Sequence, residues 1–373
     1  MDIETAAIQN ELENKINSLR HLMEASEVDA VLLQRSSSFS WATCGADPHI
    51  NTAASDGAAM LLITPSEKYV LTDNIEASRL EQEEGLFLQG WTFKVSPWYG
   101  PDGAARVLTS GRRTGTDGLY PVGKDLSREL AWLRAQLSEN ETARFRILGE
   151  LCGKSMQEAV YSIQPGMSEY EIAGLLSGAA ESNGVQAVVN LVGTDERIFN
   201  YRHPIPTARK LDRYAMVVLC GRKWGLVCSV TRLVHFGAVP EEIRSRTRAV
   251  AEIDAFMITR TRPGRTIADV FSSTQQAYSR LGYPGEWQNH HQGGLAGYEP
   301  REIVATQDTH QPVAVGQAYA WNPSVSGAKS EDTILVEPWA NEVLTETPGW
   351  PMLEIRIDDK CVKRPDILER DSV

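Results

Sequence analysis

Residues 289–302 have the sequence Asn-His-His-Gln-Gly-Gly-Leu-Ala-Gly-Tyr-Glu-Pro-Arg-Glu. The stretch holds two adjacent histidines, a glycine-rich segment and an Arg-Glu pair. Neighbouring side chains of an extended strand point to opposite faces, so we expect only one of His290 and His291 to face a site. We favour His290 as a hydrogen-bond donor to a substrate and His291 as a structural residue. Tyr298, three residues before Arg301, is expected to close the pocket.

Other candidate residues lie in four further segments of the second half of the chain. These segments are 203–211 with His203, 217–221 with Cys220, 229–232 with Ser229, and 320–333 with Asn322 and Glu331. An imidazole of ordinary pKa takes up and releases a proton near neutral pH, so His203 is a candidate acid–base group. Cys220 ends an apolar run and is more typical of a small buried residue. Asn322 stands between Trp321 and Pro323 and is a candidate substrate-orienting amide.

The composition of the chain excludes several classes of protein. The 373 residues carry a formal net charge of −12, whereas nucleic acids and anionic membranes require clustered positive charge. A hydrophobic share of 42% supports a large core and excludes a disordered chain. No apolar run approaches the ~20 residues of a membrane span, and residues 1–13 lack the pattern of a signal peptide. We expect a soluble protein with a small-molecule substrate.

The cysteines and the absent motifs narrow the function further. The five cysteines are odd in number and scattered, with neither a disulfide framework nor zinc spacing, which favours a reducing cytoplasm. The sequence has no GxSxG elbow, no HExxH helix, no P-loop and no strand-turn-helix GxGxxG motif. Serine hydrolase, zincin, nucleotide-phosphate and dinucleotide chemistry are therefore not indicated.

Hydrophobic periodicity predicts two domains, a smaller α/β domain at 1–138 and an α+β domain at 139–373. In the first domain the pattern indicates helices at 3–26 and around 75–84, and strands at 29–34, 58–64 and 68–71. A helical stretch at 127–163 breaks at 138–141, and a capping box at Ser168 and Glu171 begins the next helix, which runs to about residue 182. Further strands are predicted at 186–192, 215–220, 226–236, 318–321, 333–337 and 342–345, and further helices at 240–261 and 267–281.

From about residue 141 to its end, the sequence resembles the creatinase, aminopeptidase P, prolidase and methionine aminopeptidase superfamily. The resemblance rests on five motifs in the same order, at 203–211, 217–221, 229–232, 297–302 and 320–333. It implies the pita-bread fold for this part. The first 138 residues resemble the smaller N-terminal domain of creatinase, aminopeptidase P and prolidase. Relatives are commonly dimeric, so the resemblance also implies a homodimer.

The chain departs from this superfamily at the metal ligands. Its metallopeptidases use two aspartates, a histidine and two glutamates to hold two divalent ions. The resemblance places Cys220, Ser229, Gly294, Asn322 and Glu331 at these positions. One carboxylate is too few for a hard-cation dinuclear site, and this remains true if His291 takes the histidine position. We therefore expect neither a metal centre nor another cofactor.

Creatinase is the metal-free precedent within the superfamily, and it cleaves a C–N bond with a histidine as acid and base. The resemblance implies that His203 is the acid–base residue and that Arg301 holds a substrate carboxylate through paired N–H donors. Glu331 would hold a cationic or N–H-bearing part of the substrate. The remaining candidates to contact the substrate are His290, Tyr298, Glu302, Asn322 and Cys220. Creatinase has a glutamate in the motif of Asn322, which makes creatine itself an unsuitable substrate.

The leading hypothesis is thus a metal-independent hydrolase that cleaves an amide, amidine or ureido bond of a small carboxylate. A divergent Xaa-Pro aminopeptidase or dipeptidase that retains a metal is the first alternative. An inactive pita-bread binding protein, similar to the one in a histone-chaperone subunit, is the second. A metal-free lyase or isomerase is a further alternative, because acid–base residues do not fix the reaction type.

Overall fold

The computed structural model describes residues 3–100 and 103–371, so the ends of the predicted domains at residues 1–2 and 372–373 lie outside the described residues. The chain divides into two compact units. The first comprises 1–141 with 224–226, and the second comprises 142–223 with 227–373. No helix in the described part of the chain has the length and apolar character needed to cross a membrane.

A mixed six-stranded sheet forms the centre of the first unit, with strand order β4-β3-β2-β1-β5-β6. Its strands are β1 (Ala30–Arg35), β2 (Asp56–Ile63), β3 (Lys68–Asp73), β4 (Thr92–Ser96), β5 (Thr114–Thr116) and β6 (Lys124–Asp125). Its helices are α1 (Ile3–Ser26), α2 (Ser36–Ala42), α3 (Ala77–Gln82), α4 (Ala104–Thr109) and α5 (Ser127–Ala135). β1 pairs antiparallel with β2 and parallel with β5, which is the mixed arrangement expected of an α/β layer.

The second unit contains two main sheets and four long helices. The helices are α6 (Glu139–Ser162), α7 (Glu169–Ser182), α9 (Glu241–Arg260) and α10 (Ile267–Arg280), with the short α8 (Glu196–Asn200). One sheet has the order β19-β9-β8-β7, with β7 (Gln186–Thr194), β8 (Tyr214–Lys223), β9 (Leu226–Phe236) and β19 (Leu368–Arg370). The other has the order β11-β10-β12-β15-β16, with β10 (Gly293–Ala296), β11 (Ile303–Val304), β12 (Ala318–Trp321), β15 (Asp332–Leu335) and β16 (Glu342–Val343).

Three short elements complete this unit. They are the hairpin of β13 (Ser324–Val325) and β14 (Ala328–Lys329), the hairpin of β17 (Met352–Ile357) and β18 (Lys360–Pro365), and a 3₁₀ turn at Glu286–Asn289. The sequence predicted neither hairpin, nor the strand β10 inside the glycine-rich segment. Residues 293–296 include two glycines and no β-branched residue, so the local signal for a strand is weak there.

Helix ends follow the predicted capping signals. The Ser168 hydroxyl accepts a hydrogen bond from the backbone of Glu171, whose carboxylate accepts from the Ser168 backbone at 2.6 Å. This confirms the predicted capping box at the start of α7. Thr266 and Asp269 form a second capping box at the start of α10. The two boxes satisfy N–H groups that the first turn of a helix leaves unpaired.

Strand faces decide which residues line the site. β12 pairs with β15 so that Trp321 lies opposite Asp332, and directly opposite residues share one face of a sheet. The Trp321 indole donates to Thr261 at the end of α9, so this face packs against that helix. Side chains alternate along a strand, which places Asn322 and Glu331 on the opposite face. A bridge between Thr231 and Glu331 brings the two main sheets together at this point.

Two helical glycines of the second unit should respond in opposite ways to replacement by alanine. A Cβ on Gly153 of α6 would lie 2.0 Å from the Glu346 carbonyl oxygen, whereas a Cβ on Gly174 of α7 meets nothing within 4 Å. We expect Gly153→Ala to lower the free energy of unfolding by about 1–3 kcal/mol through overpacking. Gly174→Ala should raise it by about 0.5–1 kcal/mol, because alanine favours the helix. Urea unfolding measures both, and equal effects would contradict the close approach at Gly153.

Candidate active site

His203 lies in the loop that follows α8. The segment is fixed from both sides, because the Pro204 carbonyl accepts a hydrogen bond from the Val192 backbone at 3.2 Å. The guanidinium of Arg202 also pairs with Glu286 at the 3₁₀ turn. Pro204 is buried while His203 itself is exposed. The loop therefore holds the imidazole at the surface of the cleft rather than in the core.

Three histidines meet at this point. His203 Nε2 and His290 Nε2 are 3.0 Å apart, and the rings of His290 and His291 are 4.5 Å apart between centroids. One ring nitrogen from each of the three residues lies within 4.8 Å of the others. The prediction that only one of the adjacent histidines faces the site is therefore wrong. It assumed an extended strand, whereas His290 ends a 3₁₀ turn and β10 begins only at Gly293.

The surroundings keep all three imidazoles uncharged near neutral pH. Burial lowers the pKa of His290 to about 2, and the positive charge of Lys329 adds to this effect. Burial lowers the pKa of His291 to about 4, and Arg301 adds to it. Partial burial and then Lys329 lower the pKa of His203, while Glu331 opposes them. A neutral imidazole can accept a proton, which is the form that a general base needs.

Glu331 is the buried carboxylate of the site, and both of its oxygens are occupied by the protein. Arg301 Nη2 lies 2.9 Å from Oε1, while Lys329 Nζ at 2.7 Å and the Thr231 hydroxyl at 2.6 Å bind Oε2. Burial would raise the pKa of this carboxyl, but Lys329 and Arg301 hold it well below its usual range. The expectation that Glu331 binds a cationic part of the substrate is corrected, because the chain's own cations take that place.

Lys329 also belongs to the site, although it was not among the residues predicted from the sequence. Its side chain is 4% exposed and stands two residues before Glu331, beside the hairpin turn at Gly327. Lysine is almost never fully buried unless it is paired. Lys329 could have been predicted from its spacing to Glu331, because residues two positions apart on an extended segment lie on the same face.

Arg301 is bound by protein groups at both terminal nitrogens. Nη1 donates to the Ser229 hydroxyl at 3.1 Å and to the Pro300 carbonyl at 2.6 Å, while Nη2 pairs with Glu331. The bidentate fork predicted for a substrate carboxylate is therefore already engaged, which corrects that prediction. Its Nε is buried and donates to no described residue. Arg301 can thus offer a substrate its positive charge and the N–H of its Nε.

Tyr298 and Glu302 form the turn that carries Arg301. The Tyr298 backbone donates to the Glu302 carboxylate at 3.0 Å, and the Tyr298 side chain is buried. Glu302 therefore stabilises the turn, and its backbone pairs with Leu295 at 2.7 Å. These contacts give both residues a part in holding the turn, and their direct contact with a substrate stays a prediction.

Cys220 lies on β8 and is buried beside Ser229 of β9. The Cys220 sulfur and the Ser229 hydroxyl are 3.2 Å apart. Burial raises the pKa of the Cys220 thiol to about 11, with Glu331 adding to the increase. The thiol is therefore protonated at neutral pH, and nucleophilic catalysis requires a thiolate. Cys220 is therefore a buried neighbour of Ser229 rather than a reactive group.

Asn322 provides an unpaired acceptor on the same face as Glu331. Its backbone N–H donates to the Gln292 carbonyl at 3.1 Å, and its side chain is 2% exposed. The side-chain oxygen Oδ1 accepts no hydrogen bond from any described residue. A buried polar atom without a partner costs about 1–3 kcal/mol, and a ligand N–H that pairs with it removes this cost.

Residues 143–338 match the sequence profile of metallopeptidase family M24. The chain belongs to this family. An uncharacterized peptidase of Staphylococcus aureus (strain MW2) is 26% identical to this M24 protein over 239 residues, which cover 59% of this chain and 65% of the relative. The chain thus matches just under two thirds of the length of that curated relative.

Solved structures agree with the fold of this M24 protein. It is similar to an Xaa-Pro dipeptidase from Bacillus anthracis, with a TM-score of 0.76 at 17% identity over 96% of this chain and 100% of the other. It is also similar to a prolidase from Pyrococcus horikoshii OT3, with a TM-score of 0.76 at 19% identity over 90% and 98% of the two chains. The predicted superfamily and its pita-bread fold with an N-terminal domain are confirmed.

The residues at the family's metal-ligand positions do not fit two divalent ions. Glu331 is the one carboxylate among them and is paired with two cations, while Ser229 accepts a hydrogen bond from Arg301. A Cβ on Gly294 would lie 2.1 Å from the Ile303 carbonyl oxygen, so this position admits no side chain without a backbone shift. Hard cations require several anionic oxygens, and this set supplies one carboxylate that is already neutralised.

The low pKa of His290 predicts a pH-dependent stability. Below pH 6.5 this histidine takes up a proton in the unfolded chain but not in the folded one. The free energy of unfolding should therefore fall with decreasing pH, by up to about 1.4 kcal/mol per pH unit from this residue. His290→Gln lacks this titrating group, so its free energy of unfolding should not show this contribution. We therefore expect the stability advantage of the wild type over His290→Gln to shrink as the pH falls from 6.5. Urea unfolding across this range measures it, and a constant difference would contradict the prediction.

Proposed function

We propose that this M24 protein is a metal-independent hydrolase, which cleaves an amide, amidine or ureido C–N bond of a small carboxylate. One observation carries the proposal. Lys329 and Arg301 pair with Glu331, which stands at a position that the resemblance assigns to a metal ligand. Two fixed positive charges and one carboxylate leave one net positive charge, which favours binding of a carboxylate and stabilises developing negative charge.

In the proposed mechanism, His203 takes a proton from water as the water attacks the scissile carbon. It then gives the proton to the leaving nitrogen, so that the C–N bond breaks and two neutral products form at this centre. His290 is 3.0 Å from His203 and orients its ring through the shared hydrogen bond. General acid–base catalysis of this kind contributes about 10²–10⁴-fold to the rate.

Two unpaired polar atoms, one a hydrogen-bond acceptor and the other a donor, are available to bind the scissile group. Asn322 Oδ1 is a buried acceptor, and Arg301 Nε is a buried donor. An amide, amidine or ureido group carries N–H donors that suit the first atom. A carbonyl or carboxylate oxygen can accept a hydrogen bond from Arg301 Nε. Each of these contacts stabilises the bound substrate, because it provides a partner for a buried atom that is otherwise unpaired.

An Xaa-Pro dipeptidase is the second candidate function. The similarity to an Xaa-Pro dipeptidase and a prolidase favours it. The clustered nitrogens of His203, His290 and His291 are also ligands of the kind that zinc accepts. The positive charges of Lys329 and Arg301 beside this cluster disfavour a bound cation.

Metal analysis separates the two candidates. We expect protein produced with manganese and zinc in the medium to hold far less than one metal ion per chain. We also expect hydrolysis, found by screening carboxylate-bearing amides and ureides, to survive chelation. Stoichiometric metal together with chelator-sensitive cleavage of Xaa-Pro dipeptides would overturn the proposal. Tight ligand binding without turnover would instead support an inactive binding protein.

A further inference from the structure

The cations that surround Glu331 indicate which charge a substrate group can carry in this site. The Glu331 carboxylate is 2% exposed, and its two oxygens receive Arg301, Lys329 and the Thr231 hydroxyl. Asp332, the next residue, faces away and is paired with Arg232 at 2.9 Å and Arg364 at 2.6 Å. Neither acidic residue of this segment is left uncompensated to receive a cation from a substrate.

Three further described residues of the site, Asn322, Ser229 and Cys220, are neutral. Asn322 offers an amide oxygen, and Ser229 a hydroxyl that already accepts from Arg301. Cys220 offers a protonated thiol. A guanidinium or amidinium placed against Asn322 would find an acceptor for its N–H groups but no negative charge. It would also lie in the field of two buried cations, and like charges repel strongly where water is excluded.

We infer that Lys329 is a specificity-determining residue, whose buried ammonium makes the site select a neutral ureido or amide group over a guanidinium. This inference rests on the proposed function and narrows its substrate class. The ammonium occupies the side of Glu331 where a substrate cation would otherwise bind. The substrate carboxylate is attracted by the same charge, so the preferred ligand is a monoanion with an uncharged scissile group.

Two ligands of matched shape test the inference. N-carbamoylglycine and guanidinoacetate share a carboxylate and differ by an oxygen in place of a charged nitrogen. Calorimetry with the full-length wild type should give at least about tenfold tighter binding of N-carbamoylglycine. Lys329→Gln should reduce or reverse this ratio, while Lys329→Arg, which keeps the charge, should retain it. Lys154→Gln removes an exposed lysine of α6 and should leave the ratio unchanged.

The outcomes distinguish the inference from the function on which it rests. Guanidinoacetate that binds the wild type as tightly as N-carbamoylglycine overturns the inference, even if Lys329→Gln does not fold. Metal-free hydrolysis of guanidinoacetate would then leave the proposed function standing. An unchanged ratio in folded Lys329→Gln, checked by circular dichroism, also overturns the inference. A wild type that binds neither ligand and cleaves Xaa-Pro dipeptides with metal overturns both.

Discussion

Replacement of His203 by alanine should lower kcat by about 10²–10⁴-fold, with a smaller effect on KM. The imidazole is exposed to the cleft, and its pKa is lowered by partial burial and by Lys329, so it is ready to accept a proton at neutral pH. The variant keeps the buried groups around Glu331, so substrate binding should persist. Steady-state kinetics on the best substrate from the amide and ureide screen measures both constants.

His310 provides the control for this variant. It is an exposed histidine in the loop after β11, and His310→Ala should keep wild-type turnover. In the wild type, kcat/KM should fall only below pH 6.5, because burial and the charge of Lys329 lower the pKa of His203 from that value. If His203→Ala turns over as fast as His310→Ala, His203 does not transfer the proton, and the proposed mechanism is incorrect.

The strands that carry the site are predictable because their signals are local. The predicted strand at 318–321 is β12 as observed, and those predicted at 215–220 and 226–236 lie in β8 and β9. Apolar runs that contain aromatic or β-branched residues indicate buried strands wherever they occur in a chain. The capping box of Ser168 and Glu171 is equally local, since it involves residues three positions apart. The order of the motifs then identified the fold.

The pairings within the site could not be predicted in the same way. Arg301 and Glu331 are thirty residues apart, and Thr231 and Glu331 are one hundred apart. No local pattern shows that a distant arginine will occupy a carboxylate. From the sequence, Arg301 and Glu331 were therefore each predicted to bind the substrate, whereas in the fold they pair with each other. His291 was misassigned because the turn that ends at His290 has no periodic signal.

Behind the site lies a buried network of two arginines and two aspartates. Asp332 binds Arg232 through one oxygen and Arg364 through the other, and Arg364 also binds Asp254 of α9 at 2.6 Å. Ser330 donates to Asp254 at 2.5 Å. These contacts hold Ser330 and Asp332, the residues on either side of Glu331. The network therefore fixes the segment that presents the buried carboxylate to the cleft.

Replacement of Arg364 by alanine should lower the free energy of unfolding by about 3–5 kcal/mol. The side chains of Arg364, Asp254 and Asp332 are each 1% exposed, so the change leaves buried carboxylates without their shared cation. Arg364→Lys keeps the charge but loses the fork, and it should be less destabilising. Urea unfolding at neutral pH measures the difference, with far-ultraviolet circular dichroism as the signal.

The exposed pair of Arg244 and Glu369 is the matched control, because it is also an Arg–carboxylate contact, at 2.8 Å, in the second unit. Its side chains are 44% and 45% exposed, and exposed ion pairs contribute about 0–1 kcal/mol. Arg244→Ala should therefore cost far less than Arg364→Ala. Equal losses would mean that burial adds nothing to the Arg364 contacts. In that case the network could not be what fixes Glu331, and the position of this carboxylate would depend on Lys329 and Arg301 alone.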